Sequence, residues 1–126
     1  MTPVKLYKNA DTDKLKIIGE NKGKCGIYRF KNLNDGKCYV GSSVNLGIRF
    51  RYYFNIDNLR SGLKRSNSII YTSLLKYGYS SFSVEILEYC MPFEVRKREQ
   101  YYLDQVKPEY NILNLVGSFL GHPTPR

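Results

Sequence analysis

The stretch "GIYRFKNLNDGKCYVGSS", residues 26–43, predicts two short β-strands around a tight turn. The Asp-Gly pair within "NLNDG" is typical of hairpin turns, because both residues tolerate the positive backbone angles that such turns need. Each strand carries a tyrosine close to a glycine: Tyr28 follows Gly26, and Tyr39 precedes Gly41. If the tyrosines pair across the hairpin, both hydroxyls project from one face of the sheet. The alternative is a stabilising cross-strand aromatic pair without further function.

Positive charge is concentrated in the half of the chain that contains this hairpin. The net charge is +9; residues 1–65 carry 14 lysines and arginines against five acidic residues, whereas residues 66–126 carry six of each. A one-sided basic surface favours a polyanionic partner such as nucleic acid, and a solvated surface is the alternative. The 12 tyrosines suit stacking on nucleic acid, although many will simply pack in the core.

Several classes of chemistry are excluded by what the 126 residues lack. The only histidine is His122, which argues against histidine-based nucleases and Ser-His-Asp or Cys-His sites. The three cysteines Cys25, Cys38 and Cys90 form no close pair, so neither a disulfide framework nor a zinc finger is indicated. There is no glycine-rich phosphate loop, no apolar run of membrane-spanning length, and no signal or transit peptide pattern at the N-terminus.

Downstream of the hairpin, hydrophobic periodicity predicts the order β-β-α-α-β-α. A helix follows the second strand, then a basic polar loop "LRSGLKRSN", a second helix, a third strand "FSVEILEY" and a third helix between Pro92 and Pro108. The expected fold class is therefore α+β, with a small, mainly antiparallel three-stranded sheet flanked by helices. The predicted organisation is an N-terminal extension (1–24), one domain (25–118) and the start of a linker (119–126).

Two charged residues stand at predicted apolar faces. Glu99 lies four residues after Val95 and four before Leu103, so it shares the buried stripe of the third helix. Arg49 borders the apolar stripe of the first helix. A carboxylate on such a face is costly unless it is paired or binds a cation, and an arginine held there suits a phosphate clamp. A structural Arg49–Glu99 salt bridge is the alternative.

These residues together resemble the GIY-YIG nuclease family. The first motif is intact as Gly26-Ile27-Tyr28, and the second is Tyr39-Val40-Gly41, with valine for the usual isoleucine. The family's catalytic arginine corresponds to Arg49, its metal-binding glutamate to Glu99 within "REQYYLD", and its later asparagine to Asn111. Three segments resemble the sequences of intron-encoded homing endonucleases, especially fungal mitochondrial members: "YVGSS", "LLKYGYSSFSVEILEYC" and "KPEYNIL".

The resemblance implies a metal-dependent DNA endonuclease that hydrolyses phosphodiester bonds, as the catalytic domain of a homing enzyme whose separate DNA-binding region is missing. One Mg²⁺ (or Mn²⁺) would bind Glu99, and the partner would be double-stranded DNA, bound by a monomer without membrane association. A mitochondrial location is implied, with a cytoplasm as the alternative. The alternatives for function are an inactive nucleic-acid-binding module and a structure-specific repair nuclease. Five basic residues are expected to grip the DNA backbone: Lys37, Arg51, Arg60, Lys64 and Arg65.

The family pattern also implies a role for each site residue. Tyr28 would take the proton from the attacking water, Tyr39 would orient water or phosphate, and Arg49 would stabilise the transition state. Gly26 and Gly41 would allow close backbone approach, and Asn111 would support the site. The alternative for Asn111 is a turn residue that bonds its own backbone. The alternative for Tyr28 and Tyr39 is a cross-strand aromatic pair. Some members carry a histidine near the end of the first helix or in the following segment, and this chain has Tyr53 and Tyr77 in those regions.

Overall fold

Nine helices and strands follow one another in the computed structural model, which describes residues 2–111. They are β1 (Lys5–Tyr7), α1 (Lys14–Glu20), β2 (Gly26–Asn32), β3 (Cys38–Ser43), α2 (Leu46–Tyr53), α3 (Ile56–Arg65), α4 (Ile69–Tyr77), β4 (Phe82–Tyr89) and α5 (Val95–Val106). The strands form one antiparallel sheet in the order β1-β4-β2-β3. The expected α+β class with a helix-flanked sheet is confirmed.

The sheet has four strands where the sequence predicts three. The additional strand, β1, belongs to the segment that was predicted as an N-terminal extension, and it pairs with β4 through Lys5 and Ile86. The same segment is anchored by a buried Asn21, whose amide donates to the Tyr7 hydroxyl (3.2 Å) and whose oxygen accepts from Tyr89 (2.6 Å). Three residues are too few to show strand alternation, so this strand is decided by its pairing partner.

The predicted basic loop "LRSGLKRSN" is wrong in its first part, because residues 56–65 form α3. Asn55 caps this helix by accepting from the backbone N–H of Asn58 (3.0 Å). Leu59 is fully buried and Gly62 lies against the ring of Tyr71, so the helix packs on α4 along a narrow face. A helix with so few apolar residues shows little periodicity in sequence, and its burial is set by its neighbours.

Both faces of the sheet are covered. The side chains of Tyr28, Phe30 and Val84 point to the larger core with α2 and α4, whereas Ile27 and Val40 point to a smaller cluster under α5. A register shift after Ile27 interrupts the β2–β4 pairing. Coverage on both sides explains why β4 is buried along six consecutive residues rather than at alternate positions.

The C-terminal predictions lie partly outside the described residues. A further helical segment begins at residue 109, beyond the last predicted helix. The predicted domain boundary at residue 118, the linker 119–126 and His122 lie beyond residue 111. Within residues 2–111, no helix combines the length and apolar character that crossing a membrane requires.

Replacement of Leu59 by alanine tests whether α3 is part of the core. Leu59 is 0% exposed, so Leu59→Ala is expected to lower the free energy of unfolding by about 2–5 kcal/mol through lost burial and a cavity. Leu15→Ala, at a side chain that is 79% exposed, is the matched control and should change it little. Urea denaturation followed by circular dichroism measures both. Equal stabilities of the two variants would contradict the packing of α3.

Candidate active site

The two motif tyrosines share one face of the sheet but are not directly opposite each other. The β2–β3 register pairs Tyr28 with Gly41 and Phe30 with Tyr39, so the tyrosines are diagonal neighbours with ring centroids 6.4 Å apart. Direct cross-strand pairing of Tyr28 with Tyr39 is therefore wrong, whereas the expectation that both side chains lie on one face of the sheet is confirmed. A β-carbon at Gly41 would lie 2.5 Å from the Tyr28 hydroxyl, so glycine is required there by a tyrosine side chain and not by the expected close approach of backbone.

The Tyr28 side chain ends in a buried hydroxyl pair. Its oxygen lies 2.7 Å from the hydroxyl of Tyr53, and either group can be the donor. Arg49, one turn earlier on α2, places its guanidinium 4.9 Å from the centroid of the Tyr53 ring and an Nη2 3.5 Å from the same hydroxyl. Three residues from two elements thus form a continuous chain from the sheet to a fixed positive charge.

Burial controls the protonation of these hydroxyls. Tyr28 is 1% exposed, and burial raises its pKa above the ordinary value, against the lowering effect of Arg49. Burial also raises the pKa of Tyr53 above the ordinary value, and the charges of the neighbouring tyrosines Tyr28 and Tyr39 add to the increase. The pKa of Tyr39 is raised first by burial, and the charge of Glu99 also raises it. All three phenols are therefore neutral near pH 7.

A cleft opens beside this chain, which we call the arginine cleft. Its volume is about 250 Å³. It is lined by Arg49, Arg65 and Tyr71, with Tyr39 at its edge. Its lining contains two guanidinium groups and no carboxylate, so the cleft suits an anionic group such as a phosphate.

Glu99 approaches the site from the other face of the sheet. Its Oε1 accepts a hydrogen bond from the hydroxyl of Ser42, 2.8 Å away on β3. Within residues 2–111, no ion pair joins Arg49 to Glu99, so the structural salt bridge considered above does not form. Glu99 nevertheless lies near enough to Tyr39 for its charge to act on that phenol. The candidate site therefore includes groups on both faces of the sheet at edge strand β3, with Tyr39 and Arg49 on one face and Glu99 on the other.

The donor set fits a magnesium ion bound through one carboxylate. In the described part of the chain, no three histidine, cysteine or acidic residues cluster, so an all-protein cage is not built there. Magnesium usually keeps several waters and binds one or two carboxylates together with substrate phosphates. Glu99 is only partly buried, and the one hydrogen bond found for it comes from a neutral hydroxyl. Its carboxylate can therefore take such an ion.

The supporting residues hold the strands in place. Asn111 bonds the backbone of Val40 on both sides: its Oδ1 accepts from the N–H (2.9 Å) and its Nδ2 donates to the carbonyl (3.0 Å). It thereby pairs with edge strand β3 as another strand would, directly between Tyr39 and Gly41. Gly26 lies in close contact with the backbone carbonyl of Glu88, which leaves no room for a side chain.

The five predicted DNA-binding residues divide into two groups. Arg65 lines the arginine cleft together with Arg49. The others are exposed on the surface: Lys37 at the hairpin turn, Arg51 on α2, and Arg60 and Lys64 on α3.

Three residues of the site had no role assigned from the sequence. Tyr53 was noted only as standing where relatives have a histidine, and its spacing of four from Arg49 was the available signal. Ser42 directly follows the Tyr39-Val40-Gly41 motif, and no sequence pattern linked it to Glu99. Tyr71 lines the cleft and packs edge-on against Tyr53, with ring centroids 5.7 Å apart, and no sequence pattern indicated this.

Comparison with known proteins identifies the family of this chain. The model of the GIY-YIG catalytic domain matches residues 24–111, and the chain therefore belongs to the GIY-YIG family. Among solved structures, it is similar to the catalytic domain of the homing endonuclease I-TevI, at 29% identity and a TM-score of 0.54 over 67% of this chain and 89% of that one. A mutant of the catalytic domain of the intron endonuclease I-TevI gives 27% identity, a TM-score of 0.54, and coverage of 67% and 84%. The chain thus contains a nuclease domain like that of I-TevI.

The raised pKa values of Tyr28 and Tyr53 predict a loss of stability at high pH. In the unfolded chain these tyrosines ionise near pH ~10, whereas in the fold they keep their protons. The fold therefore binds more protons, and the free energy of unfolding falls as pH rises through about 10. Thermal denaturation between about pH 8 and about pH 11 measures this.

The double variant Tyr28→Phe/Tyr53→Phe is the control for this prediction. It removes both hydroxyls at once, so neither buried hydroxyl is left without its partner. Its melting temperature should fall less steeply with pH than that of the wild type. Parallel curves for the two proteins would show that the buried pair does not set the alkaline limit.

Proposed function

We propose that this protein is a metal-dependent DNA endonuclease that hydrolyses phosphodiester bonds in double-stranded DNA as a monomer. The observation that carries the proposal is the convergence at edge strand β3 of Tyr39 and Arg49 from one face and Glu99 from the other. A phosphate placed between them would meet a guanidinium on one side and a carboxylate able to hold a cation on the other. Similarity to a homing endonuclease domain supports DNA as the substrate.

Arg49 is the group proposed to bind the scissile phosphate. Its guanidinium is held over the ring of Tyr53, so little side-chain freedom is lost when it binds an oxygen of the phosphate. Negative charge grows on those oxygens as water attacks phosphorus, and a fixed cation in a partly buried cleft stabilises that charge strongly. Arg65, at the same cleft, would bind an adjacent phosphate.

Glu99 is proposed to hold one Mg²⁺ or Mn²⁺ ion. When bound, the ion supplies Lewis-acid chemistry at a phosphate oxygen. The Ser42 hydroxyl holds the carboxylate by donating to Oε1, which leaves Oε2 of Glu99 for the ion. The family as a whole is generally dependent on divalent metals, which supports this part of the proposal.

The tyrosines are proposed to act as neutral hydroxyls. Because burial keeps the Tyr28 phenol protonated, its direct use as a phenolate base is disfavoured in the free protein. Its contact with the Tyr53 hydroxyl instead allows a proton to pass from one oxygen to the other without exposing charge. Tyr39 is the more accessible of the motif tyrosines, and its hydroxyl is proposed to orient the attacking water or the phosphate.

The biological setting is inferred from resemblance alone. We propose an intron-encoded homing endonuclease of the fungal mitochondrial type, whose target choice would depend on a separate DNA-binding region. The mitochondrial location, and the cytoplasm as its alternative, stay predictions.

Glu99→Gln tests the metal-dependent reaction. The substitution keeps the shape and an oxygen that can accept from Ser42, but it removes the charge that binds the cation. Because Lewis-acid stabilisation is worth several kcal/mol, nicking of supercoiled plasmid with Mg²⁺ should fall by about 100-fold or more. EDTA should abolish nicking by the wild type.

Asp104→Asn is the matched control, because Asp104 is an exposed acid of the same helix. It should nick at the wild-type rate. If the wild type binds DNA but nicks in neither Mg²⁺ nor Mn²⁺ at high protein concentration, the inactive binding module is the better description. Nicking that persists in EDTA would refute metal dependence.

The exposed side chains of Arg60 and Lys64 on α3 predict that the affinity for DNA depends on salt concentration. Each phosphate contact that is lost reduces the slope of log K against log salt by about 0.9, so Arg60→Ala/Lys64→Ala should flatten that slope by roughly two contacts. Fluorescence anisotropy of a labelled duplex in EDTA measures it. Lys8→Ala/Lys16→Ala removes the same charge from the exposed N-terminal segment and should leave the slope nearly unchanged. Equal slopes for the two variants would remove α3 from the DNA interface.

A further inference from the structure

A second cleft continues from the arginine cleft along the start of α4. We call it the neutral cleft; its volume is about 280 Å³, and it is lined by Tyr39, Ser66, Asn67, Ser68, Ile70 and Tyr110. The two clefts share Tyr39, Ser66, Ser68 and Ile70, so a ligand can extend from one into the other across the phenol ring. Each volume is near the lower limit of roughly 300 Å³ for small-molecule pockets, which suits one small unit at a time.

The two clefts differ in charge. The arginine cleft contains Arg49 and Arg65, whereas the neutral cleft contains hydroxyls, one amide, aromatic rings and aliphatic side chains. A ligand that fits both therefore has an anionic part and an uncharged part that can stack and form hydrogen bonds. A nucleotide has this composition, since its phosphate is charged and its base offers a flat face and a polar edge.

The polar side chains of the neutral cleft differ in how many hydrogen bonds they already form within the protein. The Ser68 hydroxyl already accepts from the backbone N–H of Tyr71 (3.3 Å), and the Tyr110 hydroxyl accepts from Asn32 (3.0 Å). Ser66 donates only a long bond to the carbonyl of Gly62 (3.4 Å). Asn67 is exposed and lines the cleft, and its amide is engaged in none of the side-chain hydrogen bonds found among residues 2–111, so a donor and an acceptor face a ligand there.

We propose that the neutral cleft binds the nucleotide that flanks the scissile phosphate, and that Asn67 and Ser66 set a base preference at that position. The inference rests on the proposed function, because it takes the phosphate at Arg49 as its anchor. The amide of Asn67 offers a donor and an acceptor side by side, and this pair matches adenine best among the bases. Tyr39 lines both clefts and therefore lies between the bound phosphate and the base edge that Asn67 would contact.

Cleavage of a duplex pool randomised around the cut bond tests the preference. The wild type should favour one base at a flanking position, and Asn67→Ala should reduce that preference by about fivefold or more while cleavage continues. The control Asn34→Ala changes an exposed asparagine of the hairpin turn that lines neither cleft, and it should keep the wild-type profile. A profile that is unchanged in Asn67→Ala overturns the proposal.

A binding measurement separates this inference from the proposed function. Anisotropy of a short fluorescein-labelled oligonucleotide in EDTA needs no catalysis, and Ser66→Ala/Asn67→Ala should weaken binding several-fold relative to Asn34→Ala/Ser80→Ala. If the wild type cuts no DNA, the proposed function fails, and this comparison still decides the cleft. Equal affinities of the two double variants overturn it. Both pairs change exposed residues, and matching melting curves exclude misfolding as the cause.

Discussion

The Tyr28 ring lies across Gly41, and its hydroxyl meets Tyr53 beneath the guanidinium of Arg49. This contact joins β2, β3 and α2 at one point. A side chain at the glycine position would displace the ring, and displacement of the ring would remove the partner of a buried hydroxyl. Glycine at position 41 is therefore needed for the packing of the core at this point. It also determines where Arg49 lies and how the cleft beside it is shaped.

Edge strand β3 distributes the functional groups between the two faces of the sheet. Tyr39 and Gly41 face the aromatic core, whereas Ser42 faces α5 and holds Glu99. Such an edge would normally expose unpaired backbone groups, and Asn111 covers those of Val40 with its side-chain amide. The strand can therefore remain open toward a substrate without offering its backbone for pairing at this position.

The low polarity around the site affects both the protonation of the tyrosines and the strength with which Arg49 attracts a phosphate. It holds the phenols of Tyr28 and Tyr53 in their neutral form, because a phenolate there would lose its hydration. It also strengthens the attraction between Arg49 and a bound phosphate, because water screens that charge less. Both features agree with the proposed hydrolysis of a phosphodiester, in which paired hydroxyls would pass a proton and Arg49 would stabilise the developing charge.

Sequence by itself determined the α+β class and the hairpin, because these follow from local signals: turn residues and hydrophobic periodicity. The GIY-YIG motifs likewise indicated the family that the comparison confirms. The sequence did not determine β1 or α3, whose short or polar sequences become ordered only against their neighbours. Nor did it determine the diagonal register of the tyrosines, the Tyr28–Tyr53 hydroxyl pair or the Ser42–Glu99 contact. Those depend on which residues from distant parts of the chain meet in the packed core, and only the tertiary structure decides that, because packing selects partners by shape and burial rather than by position along the chain.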